Sequence, residues 1–120
     1  MAITINVQNV DASGTVTWVA GTVSFSGSYT AGGDNLDWTT AVPQVGQSGA
    51  AIPSSQPPQQ VMLSSQNGNA GDYVPVEGSA LNNWKVKCFQ AGGTELSAGA
   101  YPTSVTTDIV AFVAQFPKLQ

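Results

Sequence analysis

Seven carboxylates, three lysines and one thiol are, tyrosines aside, the whole ionisable inventory of this 120-residue chain, which has neither His nor Arg. Without imidazole there is no His general base, no Ser-His-Asp or Cys-His pair and no His-ligated metal. Cys88 alternates in phase with the apolar Trp84 and Val86, so it reads as a small core hydrophobe and not as an activated nucleophile. Asp34, Asn35 and Asp37 share a Gly-rich turn. Calcium takes such oxygen sets, but the spacing is not that of a calcium loop, and Asx residues serve turns for backbone reasons. A glycosidase needs two carboxylates facing across a cleft, and no pair of these acids sits in a motif. No enzyme, cofactor or metal is expected. Trp18, Trp38, Trp84 and Tyr29 have the faces a sugar platform would use. Trp18 and Trp84 lie on the apolar phase of strands, where core packing is expected. Trp38 follows the turn, outside any alternation, and is the tryptophan expected at the surface or an interface.

The elements that position these residues are strands. Ile3, Ile5 and Val7 alternate with Thr4, Asn6 and Gln8, the pattern of a half-buried strand. Val16, Trp18 and Ala20 continue the theme, with Thr15 and Thr17 on the other face. Gly21 interrupts, and Val23 and Phe25 resume in the opposite phase, which predicts a bulge or bend at Gly21. Lys85 and Lys87 alternate with Trp84, Val86 and Cys88 and should face solvent. Ile109, Ala111 and Val113 alternate with Val110, Phe112 and Ala114. That last strand is apolar on both faces and needs cover on both, from its own fold or from a partner. Val105 to Phe116 is the one helix candidate, and its β-branched content favours strand. Gly32-Gly33-Asp34-Asn35, Asn67-Gly68-Asn69 and Gly92-Gly93 are turn signals. The last predicts a hairpin between Lys85–Gln90 and Thr94–Ser97.

Length and a 42% hydrophobic content fit a single domain, 1–120, with a self-standing core. No membrane span is expected, since no run of about 18 apolar residues exists. No secretion leader is expected from Met1 to Val10. A net charge of −4 with three Lys argues against a nucleic-acid surface. Residues 41–60 carry Pro43, Pro53, Pro57 and Pro58 and no charge. The stretch is either a plain surface loop or an arm lying on a neighbouring subunit. Short strands between turns predict an all-β antiparallel β-sandwich, and periodicity leaves a jelly roll and an immunoglobulin-like sandwich both open. Such a protein must guard its sheet edges, commonly with Lys, yet its polar faces are built of Thr, Ser, Asn and Gln. This suits an assembly component whose edges and patches are occupied by neighbours. A monomeric binding module is the other reading.

Two segments carry a resemblance. Phe25-Ser26-Gly27-Ser28-Tyr29-Thr30-Ala31-Gly32-Gly33-Asp34-Asn35-Leu36-Asp37 resembles a stretch of small tailed-bacteriophage head decoration (cement) proteins, in which a strand leads through Gly and Tyr into a "T-x-G-G-D-x-L" turn. Gly93-Thr94-Glu95-Leu96-Ser97-Ala98-Gly99 and Val105 to Phe116 are similar to the last hairpin and long final strand of that family. The two together cover less than half of the chain.

The resemblance implies a jelly-roll-like sandwich on the capsid exterior of a virion, made in the host cytoplasm, that clamps the major capsid protein non-covalently. It implies no catalytic residues, and it makes Gly32-Gly33-Asp34 a structural corner. Expected contacts are Ile3 and Ile5, for which plain core packing is the competing reading, then Trp38, then Pro53, Pro57, Pro58 and Gln59 of the arm, and Phe116, Pro117, Lys118 and Leu119 of the tail. A homo-oligomer, trimer or dimer, is expected, with neither nucleic acid nor membrane as partner. The alternative is a carbohydrate- or receptor-binding module of a phage fibre or tail, using Trp38 or Tyr29.

Overall fold

Period-two alternation becomes strand almost everywhere it occurs. The structure, a computed structural model, describes residues 3–12, 14–46, 51–52, 54–68, 73–90 and 93–117. In chain order its strands are β1 (Ile3–Asp11), β2 (Val16–Phe25), β3 (Ser28–Tyr29), β4 (Asp34–Leu36), β5 (Gln60–Ser65), β6 (Tyr73–Val76), β7 (Trp84–Cys88), β8 (Gly99–Ala100) and β9 (Val110–Pro117). A 3-10 turn at Trp38–Thr40 and a one-turn helix, α1 (Thr103–Thr106), complete the described elements. The fold is all-β and antiparallel: a four-stranded sheet in the order β1-β2-β9-β5, a three-stranded sheet in the order β4-β7-β6, and the short pair β3-β8. The final strand therefore inserts at the centre of the larger sheet.

The inner faces of the two larger sheets share one core. Ile3, Ile5 and Val7 of β1 meet Val19, Val23 and Phe25 of β2 and Val110, Phe112, Ala114 and Phe116 of β9. From the other sheet come Leu36, Tyr73, Trp84, Val86 and Cys88. The stacked rings of Phe25 and Tyr73, 5.2 Å apart, join β2 to β6 across the gap. Cys88 is thus a core hydrophobe, and Trp84 packs inward as its alternation requires. Lys85 is exposed and Lys87 half-buried.

Three expectations need correction. First, β2 has one phase along its whole length. Thr17, Val19, Gly21, Val23 and Phe25 point inward, and Trp18 is 41% exposed on the other face. The bulge expected at Gly21 lies opposite it, in β1, where the register slips between Val7 and Asn9. Gly21 is required because a Cβ there would run into the Asn6 carbonyl and the Phe112 ring. Second, Val105 is not in the last strand. It is buried in α1, and β9 begins at Val110. Third, Trp38 is 1% exposed, not a surface residue. Asp37 caps the 3-10 turn by accepting from the Thr39 N–H at 3.0 Å. That turn lays the Trp38 ring edge-on against Phe112 and Phe116, with centroids 5.4 and 5.5 Å away.

Candidate functional site

The carboxylates weighed for chemistry hold the fold together. Asp34 is buried and accepts from the Thr30 N–H at 3.1 Å and from the Tyr101 hydroxyl. Burial, then the bond to Asp34, pushes the Tyr101 phenol well above its ordinary range. Asp37 is spent on its cap. Asp108 is buried and accepts from Ser65 Oγ at 2.6 Å, Tyr73 Oη at 2.8 Å and the Asn67 N–H at 3.2 Å. Among the described residues no group of three His, Cys, Asp or Glu side chains converges as metal ligands do.

Glu95 joins the two segments singled out in the sequence. Its carboxylate accepts from the Gly32 N–H and from the Tyr29 hydroxyl, both at 2.7 Å. The Gly32 N–H, then the Tyr29 hydroxyl, hold this acid below its ordinary range. Burial, then the Glu95 bond, pushes Tyr29 up to about 12. The turn beneath them runs through Gly32 at φ 93° and Gly33 at φ 113°, a region other residues resist. The Gly93 turn closes as expected, with Gln90 N–H donating to Thr94 O at 2.9 Å and Phe89 paired antiparallel with Glu95. The "G-G-D" and "G-T-E" segments are thus the two halves of one latched corner.

The unexplained surface is the outer face of the four-stranded sheet. Register places three rows across it: Trp18 beside Gln115 and Gln60, Ala20 beside Val113 and Met62, and Thr22 beside Ala111 and Ser64. Met62 is 51% exposed, and Ile109, just before β9, is 56% exposed. The 9, 10, 6 and 8 residues of β1, β2, β5 and β9 include one charged side chain, Asp11, at the end of β1. The first row sets Trp18 beside two amides, the second is aliphatic throughout, and the third sets Ala111 between two hydroxyls. Chemically this face can bury apolar area and exchange hydrogen bonds.

The structure disperses most of the residues singled out from sequence. Ile3, Ile5 and Phe116 are core side chains and present no surface. Trp38 and Tyr29 are buried too, so neither forms a sugar platform. Pro58 is buried, Pro57 half-buried and Gln59 exposed at the start of β5. Pro53, Lys118 and Leu119 lie outside the described residues, and Pro117 ends β9 half-buried. Part of the 41–60 stretch packs on its own domain: Ala51 and Ile52 are buried, and Val42 bonds to β1. The outer-face residues Trp18, Met62 and Val113 were missed. The signal that could have found them was the two-faced apolarity of the last strand.

In comparisons with protein-family models, curated proteins and solved structures, the chain matches none of them.

Proposed function

We propose that this chain is a structural virion protein of the decoration, or cement, kind, which binds the outside of a major capsid lattice and stabilises it non-covalently. One observation carries the reading. In the outward phase of β9, Ala111 and Val113 are apolar and half-buried, flanked by exposed Trp18 and Met62. A sheet face with an apolar centre, whose one charge is Asp11 at the edge beside Trp18, marks an interaction surface. Its Thr, Gln and Ser neighbours suit a wet, hydrogen-bonded contact. The interleaved strand order, with β9 between β2 and β5 and β7 between β4 and β6, agrees with a jelly-roll-like winding. The residues argued to carry the contact are Trp18, Met62 and Val113, in place of Ile3, Ile5, Trp38 and Phe116.

Magnitude says how such a protein would hold. Four strands of about eight residues span roughly 19 by 26 Å, on the order of 500 Å². A standard interface buries about 800 Å² on each partner. One face alone is short of that, so strength comes from several copies acting together on a repeating lattice. The test is the copy number and location of the chain in purified particles, followed by washing at rising denaturant. Stoichiometric presence on the exterior, with shells that fall apart once it is released, supports the reading. Absence from the particle removes it.

The glycan- or receptor-binding alternative has lost Trp38 and Tyr29 to the core, and rests on Trp18, whose row supplies two Gln amides. Titrating glycans while following Trp fluorescence decides it: saturable quenching abolished by Trp18→Ala favours this alternative over the lattice.

A further inference from the structure

The two larger sheets have four edges, and three are guarded. On β1 the loop residue Val42 is seated as a further strand would be: Val7 N–H donates to Val42 O at 2.9 Å, and Val42 N–H donates to Ile5 O at 2.8 Å. β4 is three residues long, too short to template a partner. β6 carries Pro75, which has no N–H to offer. The fourth edge, β5, has none of these devices. It is six residues of Gln, Val, Met, Leu and Ser, with neither charge nor Pro.

Alternate residues of an edge strand point their backbone groups away from the sheet. In β5 these are Val61 and Leu63. Gln66 N–H donates to Ile109 O at 3.0 Å in the same register as β5 and β9, which turns the even-numbered phase, Gln60, Met62 and Ser64, toward β9. Among the described residues the outward N–H and C=O groups of Val61 and Leu63 have no partner.

We propose that β5 is the docking strand for a second copy of this chain, paired antiparallel with its counterpart across a two-fold axis at Met62. That register is self-complementary. It sets Met62 against Met62 and Gln60 against Ser64 on the outer face, and Val61 against Leu63 on the inner one. It uses both outward residues of each copy, Val61 exchanging N–H and C=O with Leu63, giving about four backbone hydrogen bonds. Two chains of net charge −4 meet there without opposing like charges. The consequence is one eight-stranded sheet whose outer face doubles to roughly 1,000 Å², past the area a stable contact needs. The value of that doubled face rests on the capsid reading; the pairing itself does not.

Sedimentation from micromolar to millimolar concentration, with no capsid present, tests the pairing. The chain should form a dimer. Leu63→Pro removes an outward N–H from each copy while leaving the bonds to β9, and should weaken self-association about tenfold or more, with circular dichroism unchanged. If Leu63→Pro does not fold, Gln60→Lys, which places a cation on the same edge, should have the same effect. Met62→Cys should cross-link to a covalent dimer on mild oxidation, since Cys88 is buried. A chain that stays monomeric throughout overturns the proposal. So does a dimer that Gln60→Lys leaves intact, or one that Met62→Cys fails to cross-link. A β5 dimer that ignores every shell would instead remove the capsid reading and leave the pairing standing.

Discussion

The two larger sheets share a core and differ on their outer faces. The 3, 5 and 4 residues of β4, β7 and β6 include Asp34, Lys85 and Lys87, and the two lysines face outward between exposed Asn35 and Val74. The larger sheet puts Trp18, Met62 and Val113 outward instead, with Asp11 as its one charge. On the proposed reading, the smaller sheet is finished for water and the larger for a neighbour. The lesson is that a low overall charge describes this molecule less well than the uneven placing of what charge it has.

The largest expected effect separates two tryptophans on opposite sides of the larger sheet. Trp38→Ala opens a cavity between Phe112 and Phe116 and should cost about 3–5 kcal/mol in denaturant unfolding. Trp18→Lys, on the outer face, should cost less than about 1 kcal/mol. Equal costs would break the distinction between core and contact face.

Next in size is Gly21→Ala. The added carbon meets the Asn6 carbonyl where β1 slips register, and the strain should cost about 1–3 kcal/mol. A neutral result would mean that the bulge moves freely. Smaller, and of opposite sign, is Thr17→Val. The Thr17 hydroxyl is buried with no hydrogen-bond partner among the described residues. Its replacement by an isosteric methyl should raise stability by about 0.5–1 kcal/mol.

The corner beside the smaller sheet gives a pH signature that the larger sheet, with one acid, should lack. Glu95 is held below its ordinary 4.5, so its stabilisation is complete above that value and is lost as pH falls through the lowered one. Tyr29 is raised from 10.0 to about 12, so its contribution is complete below 10 and is lost as pH climbs toward 12. Glu95→Gln should therefore flatten the acid limb of a stability–pH curve, and Tyr29→Phe the alkaline limb. Unchanged limbs would show that the latch carries no linkage.

Much of the fold was legible from strict alternation. Ile3, Ile5 and Val7 in β1, and Trp84, Val86 and Cys88 in β7, lie inward as their period requires. The error in β2 has a physical source. Its inward phase holds Thr17 and Gly21, one polar and one without a side chain, while its outward phase holds Trp18. An apolar-inward rule inverts such a strand. Trp38 had no period to betray it, because the cap of Asp37 and the rings of Phe112 and Phe116 fix its place. The outer face of the larger sheet could be read only in part. The double apolarity of Val110–Pro117 announced a covered outer side, but the rows that align Trp18, Ala20 and Met62 beside it depend on long-range register, which one sequence does not encode locally.

The most direct test of the central claim sets the two outer faces against each other on one lattice. Empty tailed-phage shells stripped of decoration are mixed with the native chain, with Val113→Lys and with Lys85→Glu, then pelleted. The account predicts that the native chain and Lys85→Glu travel with the shells while Val113→Lys, still folded, stays in the supernatant. Retention of Val113→Lys together with loss of Lys85→Glu would place the contact on the smaller sheet and contradict it.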